Sequence, residues 1–554
     1  MSPTYGTIRY QYIIAPYLAE TRLRGVFMLF SMFKRVKQEK RECRGDEPAL
    51  PVSSKLQKNL EEVQRKLGNS TDVVIRNFPV GKDESSQGVM IFVDGLADKE
   101  MIHEQILEPL IYGTDPAEIV SKGLMGSTVK KLQNTGILVA DTDEVKCLNE
   151  AIEKVLEGQT LVLLDGVPAA WILDTRGWQT RGIHESTESP IIRGPKEAFV
   201  ETLRLNTAML RRKIHSPDLR IEEKTIGKVT KTSVAVCYIE GIVDPQVVKE
   251  VWRRLNKIKI DGILDTGYIE ELIQDHPFTP FPLFNHTDRP DKVAANLLEG
   301  RVAIMVDGSP AVLTAPAMFV EFLQASEDYY ERFYVAALLR WVRMLALFIS
   351  LALPAIYVGI SGYHVETLPA ALMISIAAGR SGTPFPVAVE AVIMGVAFEI
   401  LREAGLRLPK QIGQAVSIVG VLVIGQAAVE AGVVSPIMII VTALTAVASF
   451  SIPNYSFASA FIPLRLALLF MAAFFGVFGI MVGGVAILVH LASLRSVGVP
   501  YLAPYAPMQF SDMKDTVIRV PWWFMHRRPV HLTDNEMRQP RGQKPEETKG
   551  EKRS

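Results

Sequence analysis

The chain is poor in cysteine, and its charges, although numerous, balance. Three cysteines in 554 residues (Cys43, Cys147, Cys237), with no Cys-x-x-Cys pair, argue against a disulfide scaffold and a thiolate zinc site. Sixty basic residues against sixty acidic ones leave no net charge, which excludes a strongly basic nucleic-acid binder and an acidic disordered tail. Catalytic signatures are missing as well. There is no GxxxxGK[ST], no GxSxG and no GxGxxG after a strand. His103-Glu104 does not open an HExxH site, because Leu107 stands where the second histidine belongs. His184, near Glu185 and Glu188, reads as a solvated loop histidine. The expectation is a protein that is not an enzyme and has no catalytic, cofactor-binding or metal-binding residues.

Charge is also scarce in one place. Residues 344–493 hold ten charged side chains in 150, whereas the other 404 residues hold 110. The mean hydropathy of +0.18 therefore averages a polar chain joined to a membrane chain. Segment 344–361 has no charge over 18 residues, roughly one bilayer crossing as helix. Arg332, Arg340 and Arg343 just before it place that end in the cytoplasm. A Gly/Ser/Pro cluster at 379–384 breaks the next apolar run. A second span follows from Pro386 to Leu401, ending in the basic loop 402–410. A third fits 412–432, and 466–493 is a further 28-residue uncharged run. Segment 436–463, interrupted at Pro453-Asn454, reads as a broken or re-entrant hairpin. The tail 494–554 has 11 basic and 7 acidic residues and belongs in the cytoplasm. Four full spans and the hairpin then keep both termini cytoplasmic.

The polar half alternates short apolar β-rich runs with amphipathic helices, and it repeats itself. VMIFVDG (Val89–Gly95) and LVLLDGVPA (Leu161–Ala169) match VAVCYIEG (Val234–Gly241) and VAIMVDGSPA (Val302–Ala311). Asp-Gly or Glu-Gly after a strand is turn chemistry rather than a catalytic carboxylate, since glycine supplies the positive φ. The expected fold is an α/β cytoplasmic region of two similar subdomains followed by an α-helical multi-pass transmembrane domain. Its parts are a poorly ordered extension (1–54), subdomain 1 (55–180), a linker with a helix (181–228), subdomain 2 (229–341), the transmembrane domain (342–493) and the basic tail (494–554). Arg211-Arg212-Lys213 reads as a solvated helix end, with lipid headgroup or partner contact as the alternative.

The charges left at membrane depth are the candidate functional residues. Glu390, after the Pro384-Phe385-Pro386 break and without a local partner, is the first pore or subunit-interface candidate. Glu430 reads as an entrance charge or a snorkelling side chain, and Arg465 opens the last span. Glu399 pairs with Arg402 at i, i+3 as a structural ion pair. Gly479-x-x-x-Gly483 marks a helix–helix contact, within or between subunits.

Several motifs occur in order over about 55–530. They are Arg181-Gly-Ile-His-Glu185-Ser-Thr-Glu188, Arg193-Gly194-Pro195-Lys196-Glu197, Glu201-Thr-Leu-Arg204-Leu-Asn206, Pro384-Phe385-Pro386 with Glu390, Phe398-Glu399-Ile-Leu-Arg402-Glu403 and Val499-Pro500-Tyr501-Leu502-Ala-Pro504. Together they resemble the A subunits of GerA-type spore germinant receptors. The resemblance implies a homo-oligomeric, pentamer-like ion channel in the inner spore membrane, embedded among membrane lipids, that releases monovalent cations. It implies two partners, a transporter-like B subunit that senses the nutrient and a lipoprotein C subunit. A branch of the same family associated with dipicolinate release is an alternative, as is a secondary transporter or a membrane-anchored sensor or scaffold. Leu96–Glu104 and Val517–Trp523 look more like the receptor branch. Residues 1–31 do not look like the family, so a start near Met32 is expected.

Overall fold

A computed structural model describes residues 50–80, 86–112, 142–177, 186, 191, 193–407, 425–533, 535, 537–540 and 542–545. Nearly all of the expected N-terminal extension, the start near Met32, His184 with most of its motif, and positions 412–424 of the third predicted span lie outside the described residues.

The polar half contains two five-stranded sheets of identical order. Strands β1 (Val73–Val80), β2 (Ser86–Val93), β3 (Thr142–Val145), β4 (Thr160–Leu164) and β5 (Ala170–Leu173) align as β1-β2-β4-β5-β3. Strands β6 (Leu219–Ile226), β7 (Thr232–Ile239), β8 (Asn285–Thr287), β9 (Val302–Val306) and β10 (Val312–Ala315) align as β6-β7-β9-β10-β8. Every pairing of these strands is antiparallel, so among the described residues the alternation of strand and helix produces no parallel βαβ unit. Strands β4 and β9 are buried along their whole length, which explains their continuous apolar runs.

Each repeat also includes the helix that precedes its first strand: α1 (Leu56–Leu67) in repeat 1, and, beyond α2 (Leu148–Leu156), α3 (Leu203–Lys213) in repeat 2. The sequence reading puts α3 in the linker, but its contacts match those of α1. Asp165 Oδ1 accepts from the Leu56 N–H at 3.1 Å, and Asp307 Oδ1 accepts from the Leu203 N–H at 3.0 Å. Buried Asn59 bonds both backbone groups of Ser53, and buried Asn206 does the same to Val200. The glycines of the four turns, Gly95, Gly166, Gly241 and Gly308, all have positive φ, as turn chemistry requires. Their aspartates in the second turns do more than turn the chain, because they cap a helix over 100 residues away.

Repeat 2 continues through α4 (Pro245–Leu255), α5 (Thr266–Ile273) and α6 (Pro290–Leu298) into the helical half. There, α7 (Phe333–Tyr363), α8 (Ala370–Arg380), α9 (Val387–Arg407), α10 (Pro436–Phe450) and α11 (Tyr455–Ser493) follow. Two of them, α7 and α11, are long and apolar enough to cross a membrane. A straight helix of 39 residues would hold Phe457 and His490 about 50 Å apart. Yet both rings lie against Phe281, at 6.3 and 6.1 Å. The helix folds back at Gly476, whose φ of 60° and ψ of −143° are not helical. The hairpin expected at 436–463 therefore sits one segment later, and 466–493 is not a single span. The break at 451–454 instead separates α10 from the hairpin. Uniform apolarity hid the fold-back, because only one glycine's backbone distinguishes the two arrangements.

The tail is not a free basic extension. Ser496 Oγ donates to the Leu283 carbonyl at 2.6 Å and accepts from the Ala317 N–H at 2.9 Å. Arg528 and Arg538 reach the Leu298 carbonyl and Glu299. Thr533 and Asn535 cover the turn at Gly241 and Ile242. The corresponding turn of repeat 1, at Gly95, is covered by Arg204 and Ala208 of α3. The tail thus closes the open end of a two-repeat stack.

Candidate functional site

The apolar half can tolerate a carboxylate only where protein groups replace water. Glu390, in the first turn of α9, is fully buried. Its Oε2 accepts from the Ser435 N–H at 2.9 Å, and Thr383 Oγ1 donates to Oε1 at 3.3 Å. Arg380 Nε stands 3.6 Å from Oε1. Glu390 has no partner on its own helix, as its spacing indicates, but an ionic one at the end of the preceding helix. It ties together the end of α8, the start of α9 and the start of α10. Pro384, Phe385 and Pro386 form the exposed approach to this site. Glu430 is exposed and accepts from Gln426 Nε2 at 3.0 Å.

A second charged group lies farther along α9. Arg402 Nη2 is 2.9 Å from Glu399 Oε2, the pair expected from spacing. Arg465 donates to the other oxygen, Oε1. Arg465 does not open a span, since it lies ten residues inside the first arm of α11. One carboxylate thus holds two guanidinium groups and links α9 to that arm. Beside it runs a groove of about 590 Å³ lined by Val396, Ile400, Glu403, Arg407, Ile462 and Leu466, among others. Gly479 and Gly483 face the opposite arm: a Cβ on Gly483 would stand 2.6 Å from Leu468 Cδ2, and one on Gly479 would collide with the Met471 carbonyl. Their contact lies within one chain.

The junction between the two halves was invisible to local patterns. Arg340 in α7 bonds Asp328 Oδ2 at 3.2 Å and Asp515 Oδ1 of the tail at 3.0 Å, while Arg343 holds Asp328 at 2.7 Å. Burial outweighs the Arg340 guanidinium and lifts the Asp515 carboxyl above its ordinary value. Asn454 caps the hairpin by accepting from the Phe457 N–H at 2.9 Å, and its amide stands 3.4 Å from Asn285 Oδ1. At the other foot, Thr279 and His490 share a 3.0 Å hydrogen bond. Between the feet, Phe322 stacks on Phe457 at 5.1 Å and Phe281 meets Phe461 edge-on at 5.8 Å.

The expected solvated helix end at 211–213 is corrected. Arg211 is fully buried in α3, with Nε 2.9 Å from Asp72 Oδ2 and Nη2 donating to Ser70 Oγ at 3.1 Å. It fastens repeat 2 to repeat 1, while Lys213 reaches Glu197 at 2.9 Å.

The model of the Bacillus/Clostridium GerA spore germination proteins matches residues 61–531. The chain belongs to the GerA family. Spore germination protein KA of Bacillus subtilis (strain 168) is 45% identical over 496 residues, 89% of this chain and 90% of that protein. Stage V sporulation protein AF of the same organism is 31% identical over 481 residues, 86% and 94%. The crystal structure of the N-terminal domain of the A subunit of the Bacillus megaterium germinant receptor GerK3 is 35% identical, with a TM-score of 0.39, covering 49% of this chain and 99% of that one. Family membership bears out the resemblance read from the ordered motifs.

Proposed function

We propose that the chain is the A subunit of a nutrient germinant receptor in the inner spore membrane, where copies assemble, pentamer-like, into a channel for monovalent cations. The observation that carries the receptor reading is the 45% identity to spore germination protein KA along 89% of the chain. Stage V sporulation protein AF matches less well, at 31% against 45% identity, which supports the receptor branch over the branch associated with dipicolinate release. On this reading its partners are a transporter-like B subunit, which senses the nutrient, and a lipoprotein C subunit.

Buried charges support a membrane-embedded assembly. Glu390 and Glu399 are neutralised inside the protomer, so their cost at membrane depth is met before any subunit contact forms. The groove beside Glu399 and Arg465 remains as a surface for ions or for a neighbouring subunit. On this reading α7, α9, the predicted span at 412–432 and the two arms of α11 cross, and α10, whose 15 residues measure about 22 Å, makes a short sixth crossing. That even number keeps both ends in the cytoplasm. The duplication lies in the polar half, whereas a secondary transporter commonly repeats its membrane half. Gating requires two states that the nutrient-sensing partner distinguishes energetically, and the junction at Asn454, His490 and Arg340 is where subdomain 2 meets the helices.

The test is reconstitution of the purified chain, alone and with the B and C subunits, into planar bilayers and liposomes. Discrete monovalent-cation currents are the expected result. Saturable solute uptake would favour the transporter, and neither activity would leave a scaffold and sink the channel.

A further inference from the structure

We propose that the tail segment 518–524 is a lipid-interface anchor, lying in the headgroup layer of the cytoplasmic leaflet and taking anionic phospholipid headgroups. The proposal rests on the membrane-embedded reading above. Depth is set by α7. Its 31 residues measure about 46 Å, against a hydrocarbon core of about 30 Å. The charge-free stretch 344–361 fills that core, which leaves residues 333–343 about 16 Å of helix in the headgroup layer. At this level Arg340 and Arg343 turn inward to Asp328 and Asp515, and the outward face carries Tyr334, Leu338 and Trp341, all exposed.

The tail is strapped to α7 at the same level. Asp515 holds Arg340, and the Trp523 ring lies 6.3 Å from Phe333 in the first turn of α7. The Arg519 guanidinium lies 5.9 Å from the Tyr329 ring and 5.6 Å from Trp522, which fixes the segment's orientation. With the backbone so held, Ile518, Trp522 and Phe524 are 53%, 45% and 58% exposed. Three large apolar side chains within seven residues would be costly in water, but they continue the exposed apolar face of α7. Tryptophan and phenylalanine beside basic residues suit the boundary between acyl chains and headgroups. Exposed Arg332, at the start of α7, supplies the charge that favours anionic phosphates.

The experiment uses the full chain in vesicles, nitroxide-labelled at Phe524→Cys, with Phe348→Cys on the exposed face of the charge-free stretch and Gln57→Cys on α1 as references. Accessibility is read to oxygen and to a water-soluble nickel chelate. The oxygen-to-chelate ratio at position 524 is expected to be severalfold above that at 57 and below that at 348. It should rise when phosphatidylglycerol is added to phosphatidylcholine, and Arg332→Gln should abolish the rise. A ratio equal to that at 57 overturns the proposal. So does shielding from both reagents, which would show a second copy or another subunit covering the segment. Indifference to phosphatidylglycerol overturns the headgroup assignment. A water-like ratio at 348 would instead sink the membrane reading itself, and with it this one.

Discussion

At the residue scale, the charged groups divide by how far away their partners lie. Glu399 with Arg402 is written in an i, i+3 spacing and was legible, but Arg465, 66 residues later, was not. Arg211 looked like a solvated end because its partner Asp72 is 139 residues away and on the other repeat. Removing one member of such a pair leaves an uncompensated buried charge, which costs about 3–5 kcal/mol. Glu399→Gln strands two guanidinium groups, whereas Glu390→Gln strands only the partly exposed Arg380 and retains an acceptor for the Ser435 N–H. Thermal unfolding in detergent should therefore show a clearly larger loss for Glu399→Gln. Equal losses would contradict the geometry. A second residue-scale prediction concerns pH. Burial, with Asp265 adding to it, lifts the Glu270 carboxyl of α5 to about 7. The folded state then holds this proton more tightly than the unfolded chain does. The penalty is absent below the unfolded value of 4.5 and is complete once pH exceeds about 7. A shift of this size corresponds to a few kcal/mol. Between pH 5 and 8 the unfolding midpoint should fall in the wild type and fall less in Glu270→Gln, and parallel profiles would refute the assignment.

Elements were legible where local chemistry determines them. The four glycine turns, the strands β2, β4, β7 and β9 that lead into them and the start of α9 follow from residue type and spacing. Two features did not. Helix α3 belongs to repeat 2 because Asp307 and Asn206 place it there, and neither contact has a signature of its own. The α11 hairpin rests on Gly476, one of four glycines in the same apolar run. A side chain at 476 would have to adopt φ of 60° and would also meet the Tyr363 ring at 3.0 Å. Gly484 has open space around a would-be Cβ. Gly476→Ala should therefore weaken the fold-back, while Gly484→Ala should be tolerated. Distance measurements between spin labels at Ala458 and Leu488 would report it: a short distance retained in Gly484→Ala and broadened or lengthened in Gly476→Ala. An unchanged distance in Gly476→Ala would mean that the arms are held by packing alone.

At the scale of the whole molecule, the chain closes on itself. Subdomain 2, both feet of the hairpin and the returning tail meet around Phe281, Phe322, Phe457 and Tyr501. This convergence was illegible because each contributor reads locally as something else: a loop phenylalanine, a span residue, a tail tyrosine. Its consequence is mechanical. The segment 279–285 touches His490 at one foot through Thr279 and Asn454 at the other through Asn285, so a displacement of subdomain 2 carries both arms together. Phe457→Ala removes the ring that stacks on Phe322 and meets Phe461 at 5.0 Å, a truncation that costs about 3–5 kcal/mol in a packed core. Leu468→Ala removes a comparably buried side chain from the hairpin but touches none of the junction rings. If the junction couples the halves, calorimetry of the full chain in detergent should show one transition in the wild type. Leu468→Ala should lower that transition without dividing it. Phe457→Ala should split it, because the polar half can then unfold while the helices persist. A single transition in Phe457→Ala, shifted no differently from that of Leu468→Ala, would show that the two halves are held together elsewhere, with the Arg340 clamp on Asp328 and Asp515 the next contact to break.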